Sequence, residues 1–389
     1  MTRAAARVAA AIVALLLWPA LAGSRQALDL GAPRQVASGI TLYHLTDPSL
    51  LDPAAPVSIW LLRVDLASAD LRAVLANDEI VDTEIVPDIA VRHRALAAIN
   101  AGFFLLPSGD PAGIYKLGGQ LVSDTKRPRG AVGILRDTDL RRPPRLIYGR
   151  VAATVRLRLP RRARPDAVVE IAGVDTTRQR GRLMLFTPAY YQHTDTPPTG
   201  LEWVVQGRPL RITSGPLAAG KTPIPRDGYV LSFGGQQPPA ALRSLRTGAP
   251  VELDTIYTAI EGSDRDWARA DAIVGGAGLL LHDGRIVSDW KMEQFTPTFA
   301  AMRHPRTLIG THADGAVWLV TVDGRQPKLS AGMSLAELRA LARRLGLRHA
   351  LNLDGGGSTT MWVDGKIVNS PSDAAGPRKV SDALIVTPR

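Results

Sequence analysis

The chain has 389 residues, 45% of them hydrophobic, no cysteine and a formal net charge of +11. Without cysteine there are no disulfides, thiolate metal sites, iron–sulfur clusters or cysteine nucleophiles, so a packed core must supply the stability. Ten arginines lie between Arg136 and Arg164; this stretch lacks interleaved aromatics and reads as an arginine-biased surface, not a nucleic-acid interface.

The first residues have the pattern of an export signal. Arg3 and Arg7 precede an apolar run from Val8 to Leu17, and Ala20-Leu-Ala22 supplies small residues for cleavage. The run is shorter than the roughly 20 residues a membrane-spanning helix needs. Residues 1–22 are therefore expected to be a signal peptide, and 23–389 an exported protein, periplasmic or secreted, without stable membrane insertion.

Strand patterns follow at Thr41–Leu45, Val57–Asp65 and Leu71–Leu75, then a candidate helix over Asp82–Arg94 in which Pro87 must stand near the start or break it. Leu96–Phe104 reads as a short buried strand ending in the polar Asn100, and Gly118-Gly119 as a hairpin turn. Gly130–Arg158 carries one or two strands around the arginine-rich loop. Residues of about 140–260 form a series of short strands linked by proline and glycine, expected as a strand-rich insertion; His193 and Asp195 there read as a solvated loop pair. Asp283-Gly284 and Asp314-Gly315 mark two further hairpins, and Arg303-His-Pro-Arg306 places cations and an imidazole ahead of a strand. Ser334 and Glu337 have capping-box spacing, Leu335, Leu338, Leu341 and Leu345 share one helical face, and Gly346 ends the helix. Many short strands with few helices predict a mixed α+β domain dominated by sheet.

The stretch that draws most attention is Asn352-Leu-Asp-Gly-Gly-Gly-Ser-Thr-Thr360. Three consecutive glycines are entropically costly, yet they let the backbone approach a ligand closely and turn N–H groups toward an anion. No Lys-Ser or Lys-Thr follows, as a P-loop requires, and Ser358 lacks the Gly-x-Ser-x-Gly elbow of an acyl-transfer nucleophile. Polar groups at strand ends recur at Asn100, Arg306, Asp323 and Arg325, and such positions commonly carry chemistry.

Taken in order, Asn100-Ala-Gly-Phe-Phe104, Gly113–Gly119, Arg306–Gly310, Val322–Arg325, Ser330–Ser334, Asn352–Thr360 and Val368–Ser372 resemble the phosphodiester glycosidase family. The resemblance covers about 89–122 and 272–386; Ala101 departs from it, where a second glycine is common. It implies hydrolysis of the sugar–phosphate bond in a sugar-1-phosphodiester, with a phosphodiester-linked carbohydrate as substrate and no cofactor. The phosphate leaves as a weak base, so the site needs cations and N–H donors more than a protonated acid. On this expectation Arg306, with Arg378 and the Gly355, Gly356 and Gly357 backbone, holds the phosphodiester. Asp354 or Asp323 acts at the anomeric carbon; Asn100, Ser358, Thr359, Arg325 and Asn369 orient sugar hydroxyls or phosphate oxygens. Two other readings use the same residues. One is a scaffold that binds an anionic envelope polysaccharide without cleaving it. The other is a divalent-metal hydrolase in which Asp323, Asp354 and Asn100 offer hard oxygens to a cation such as calcium.

Overall fold

The computed structural model describes residues 28–106, 108–139, 141–160 and 165–389; the expected signal peptide lies outside the described residues. The sheet-dominated α+β architecture expected from the pattern is the one observed. An eight-stranded antiparallel sheet runs in the order Arg34–Ala37, Ile40–Leu45, Ile59–Val64, Val317–Val322, Arg306–His312, Leu347–Asn352, Leu279–His282, Arg285–Ile286. Its central strand Val317–Val322 is buried along its whole length. Val317 and Leu319 enter one core, whereas Trp318, Val320 and Val322 enter another, as the two-residue period of a strand requires.

The helix Leu335–Arg344 covers the second of these faces. Its capping box forms as expected, with Glu337 N–H donating to Ser334 Oγ and Ser334 N–H to Glu337. Leu335, Leu338 and Leu341 are at most 1% exposed, each burial contributing about 2 kcal/mol. The opposite face meets a five-stranded antiparallel sheet ordered Lys366–Ile367, Met361–Val363, Ala97–Asn100, Asp382–Pro388, Ala69–Leu75. Beyond it lies the helix Val86–Arg92, which starts with Pro87 in its first turn, where a missing N–H does no harm.

The middle of the chain forms a seven-stranded sheet around Thr125–Leu135 and Arg145–Leu159, and a five-stranded sheet containing Leu183–Phe186, Gly228–Phe233 and Leu201–Gln206. The first shares strands with the flanking sequence, because Thr125–Leu135 also pairs with Ala272–Gly275. Buried Glu293 ties these layers together by accepting from the N–H groups of Gly130, Gly278 and Leu279 at 2.8–3.1 Å.

This layering fixes the place of the glycine turn. Leu347–Asn352 ends in the eight-stranded sheet and Met361–Val363 begins in the five-stranded one, so the turn crosses from one sheet to the other. Arg306, Val322, Asn100 and Asp382 stand at strand ends beside that crossing.

Candidate active site

Each glycine of the triplet is held against a different neighbour. A side chain on Gly355 would begin 2.6 Å from Pro305 O. Gly356, at φ +62°, has Arg325 Nη2 3.0 Å from where a Cβ would sit, and a Cβ on Gly357 would collide with Arg378 and Asp373. The N–H groups are less available than the sequence suggests. Gly355 N–H donates to Asp354 Oδ1 at 2.9 Å and Gly356 N–H to Pro305 O at 2.9 Å. Gly357 N–H has no backbone or side-chain acceptor among the described residues, and it alone of the three is left for a ligand.

Two guanidinium groups stand over the turn. Arg325 is exposed, adopts φ +60° and has no anionic partner among the described residues. Arg378 donates from Nε to Asp373 Oδ2 at 2.8 Å, with about a third of each side chain exposed. Arg306, expected on the phosphate, is the correction. It is 1% exposed; its Nε donates to Met333 O at 2.8 Å and its Nη2 to Phe299 O and Met302 O at 2.7 and 3.0 Å. Its side chain braces the chain behind the turn, while burial and the Arg325 charge push its pKa down to about 10.

Asp354 is half-buried beside these cations. Burial pushes its carboxyl up to about 6 and the Asp382 charge adds to the rise, against the pull of Ser358, Gly355 N–H and Arg378. Ser358 is fully buried next to it, and its hydroxyl has no partner in hydrogen-bonding geometry. Sequence reasoning missed Asp382. It is 1% exposed and accepts from Gly102 N–H at 2.6 Å and Ser381 Oγ at 2.5 Å, yet burial still pushes its carboxyl up to about 6. A Cβ on Gly102 would begin 2.9 Å from Asp382 Oδ2, so a larger residue there would have to displace that carboxylate. The available signal was a lone carboxylate opening the otherwise apolar strand Asp382-Ala-Leu-Ile-Val386.

The remaining expected residues form a buried layer under the turn. Asn100 Nδ2 donates to Asp354 O at 2.7 Å, and its Oδ1 accepts from Thr307 Oγ1 at 2.8 Å and Thr360 N–H at 3.1 Å. Thr307 Oγ1 also reaches Thr359 Oγ1 at 3.4 Å. Asp323 accepts from Ser58 Oγ at 2.8 Å, Asn369 Nδ2 at 3.0 Å and Ser370 N–H at 2.8 Å. Burial raises its pKa against those donors. Asn369 completes the net, donating to Thr359 O and accepting from Met361 N–H. Asp323, Asn369 and Asn100 thus hold the turn and do not face a ligand, which corrects their expected contact roles. The oxygens that a metal would need from Asp323 and Asn100 are given over to internal donors, and among the described residues no three His, Asp or Glu side chains converge on one point.

His304 borders the same place. Its Nδ1 is buried without a partner, and burial, Arg306 and Arg325 all lower its pKa, so the ring is neutral. The assembled groups are a carboxylate of raised pKa, a second carboxylate behind it, a neutral imidazole and two guanidinium groups on a tight glycine turn. That set suits a substrate with an anionic group beside a centre that becomes positive.

Residues 199–387 match the family model for phosphodiester glycosidases. The match takes in the glycine turn, Arg325, Arg378 and Asp382, while Asn100 reaches the site from outside it. The chain is 35% identical over 106 residues to the prophage-derived protein YomE of Bacillus subtilis strain 168, covering 25% of this chain and 16% of that one. It is 32% identical over 94 residues to mouse N-acetylglucosamine-1-phosphodiester alpha-N-acetylglucosaminidase, covering 23% of this chain and 18% of the enzyme. These matches span less than a fifth of either relative. A hypothetical protein from Synechocystis has the same fold at a TM-score of 0.73 and 25% identity, over 91% of this chain and 63% of that one.

Proposed function

We propose that the protein is an exported glycosidase that hydrolyses the bond between an anomeric carbon and a phosphate in a sugar-1-phosphodiester of a glycan or envelope polymer. The observation that carries this reading is the placement of Arg325 and Arg378 over Gly356 and Gly357, directly beside Asp354. Both guanidinium groups and the Gly357 N–H hold the phosphodiester. Asp354, ionised, faces the anomeric carbon and stabilises the positive charge that develops there. As the carbon–oxygen bond breaks, its electron pair stays on the phosphate oxygen. Water supplies the hydroxyl that completes the free sugar, and its proton leaves to the solvent. The leaving phosphomonoester is stabilised by cations already in place, which accounts for a site without a dedicated proton donor. Asp382 raises the Asp354 pKa from behind, and Asn100 fixes the Asp354 backbone.

The test is turnover of a synthetic N-acetylglucosamine-1-phospho-6-mannoside, followed by release of reducing sugar. Asp354→Asn should lose about 1,000-fold or more in kcat with an unchanged circular dichroism spectrum. Wild-type-like turnover in that variant, or binding without any turnover in the wild type, overturns the reading.

A further inference from the structure

A second cavity, of about 860 Å³, lies away from the glycine turn, between the chain around Asp82, the loop residues 108–110 and the segment 190–197. It falls in the size range of small-molecule sites. Its charge is opposite to that of the protein. Glu79, Asp82, Asp110 and Asp195 line it against a single cation, Arg178, whose guanidinium is turned to Ser232, Pro197 O and Glu202. Phosphate is therefore the wrong ligand for it.

The lining is short of hydrogen-bond partners. Tyr190 is 8% exposed, and its hydroxyl has no partner among the described residues. Burial first, then Asp110, Asp195 and Asp175, hold the phenol well above its ordinary pKa, so it stays a donor. A hydroxyl that reaches a cavity without a protein partner is free to donate to a ligand there. Asp110 is 3% exposed; Thr176 Oγ1 at 3.4 Å and the nearby Ser108 hydroxyl supply it, and burial still raises its pKa. Asp82, at φ 85°, and Asp195, at φ 47°, are exposed and make no ion pair among the described residues. The half-buried Tyr191 adds an aromatic ring, set edge-on to His193 at 5.1 Å.

We propose that this cavity binds a neutral oligosaccharide. Carboxylates accept from paired sugar hydroxyls, the Tyr190 hydroxyl donates to a ring or glycosidic oxygen, and Tyr191 packs against the apolar face of a sugar. The cavity communicates with the glycine turn through one loop: Asp110 and Ala112 bond back to Leu105 and Phe103, next to the Gly102 that holds Asp382. Binding at this cavity is independent of catalysis.

The experiment is calorimetric titration of the full chain with chitotriose, maltotriose and cellotriose, and separately with spermidine. At least one trisaccharide should bind with a millimolar or tighter Kd. Tyr190→Phe, which removes only the hydroxyl, should weaken it about fivefold, and Asp195→Ala about tenfold. Asp354→Asn and Arg325→Ala should leave this binding unchanged even where they abolish turnover, so failure here and failure of the catalytic reading are distinguishable. Silence of all three sugars at about 10 mM, equal binding by the Tyr190 and Asp195 variants, or binding of spermidine alone overturns the proposal.

Discussion

Asp354 and Asp382 are joined through the backbone of one residue: Ala101 O accepts the Asp354 N–H at 2.9 Å, and Ala101 N–H donates to Asp382 O at 3.3 Å. Each carboxyl is pushed up to about 6 by burial, and the Asp382 charge also raises Asp354. In an unfolded chain both titrate near 3.9. Between those values the folded state holds more protons, so their contribution to stability is fully present below about 4 and is lost as the pH rises through about 6.

That sign sets the first prediction. On the proposed mechanism, in which Asp354 acts ionised, kcat/KM should rise with pH through an apparent pKa near 6. Asp382→Asn removes the like charge and should move this limb down by about half a unit. The variant should also melt above the wild type at pH 7 and match it near pH 4, where the wild-type carboxyl is already neutral. An unmoved acid limb would show that Asp382 does not act on Asp354.

Arg325 and Arg306 should separate function from stability. Arg325 is exposed and has no anionic partner among the described residues, so Arg325→Ala should keep its melting temperature and lose about 100-fold in kcat/KM. Arg306 binds three carbonyls, that of Met333 fully buried. Arg306→Ala removes these bonds and leaves a buried gap, and should cost about 3 kcal/mol in urea unfolding. The reverse pattern would return the phosphate to Arg306.

What was legible in the sequence follows from how local each interaction is. The capping box of Ser334 and the hairpins at Gly118-Gly119, Asp283-Gly284 and Asp314-Gly315 depend on neighbours a few residues apart, and they formed as read. The glycine triplet, Asp354, Arg325 and Arg378 could be singled out because their residue types are unusual for a plain turn. Arg306 could not be placed, because its partners are the carbonyls of Phe299, Met302 and Met333, which any residue supplies. The role of Asp382 could not be read for a related reason: it is held by the N–H of Gly102, 280 positions away. Asn369 and Asp323 look like ligand contacts in a motif, yet each is saturated by the other and by the turn.

Asp323 tests that distinction. Asp323→Ala leaves Ser370 N–H without an acceptor and takes one partner each from Ser58 Oγ and Asn369 Nδ2, and should destabilise by about 3 kcal/mol. Asp323→Asn keeps an acceptor for Asn369 and Ser370 and can donate to Ser58. It should fold and retain turnover within about tenfold of wild type. Complete loss of turnover in Asp323→Asn at unchanged stability would instead make Asp323 the group that acts on the sugar.

The glycine turn offers a double-mutant test of how its cations are held. A methyl group on Gly357 enters the space of the Arg378–Asp373 ion pair. Both are partly exposed side chains that can swing away, so Gly357→Ala should shift the melting temperature by only a few degrees. The displaced Arg378 should still lower kcat/KM by about 30-fold, because its charge leaves the phosphate position. In an Arg378→Ala background that loss has already occurred, and Gly357→Ala should add less than about twofold. Losses that simply multiply would mean that the glycine serves the backbone alone; strong non-additivity means that the close approach at Gly357 exists to seat Arg378.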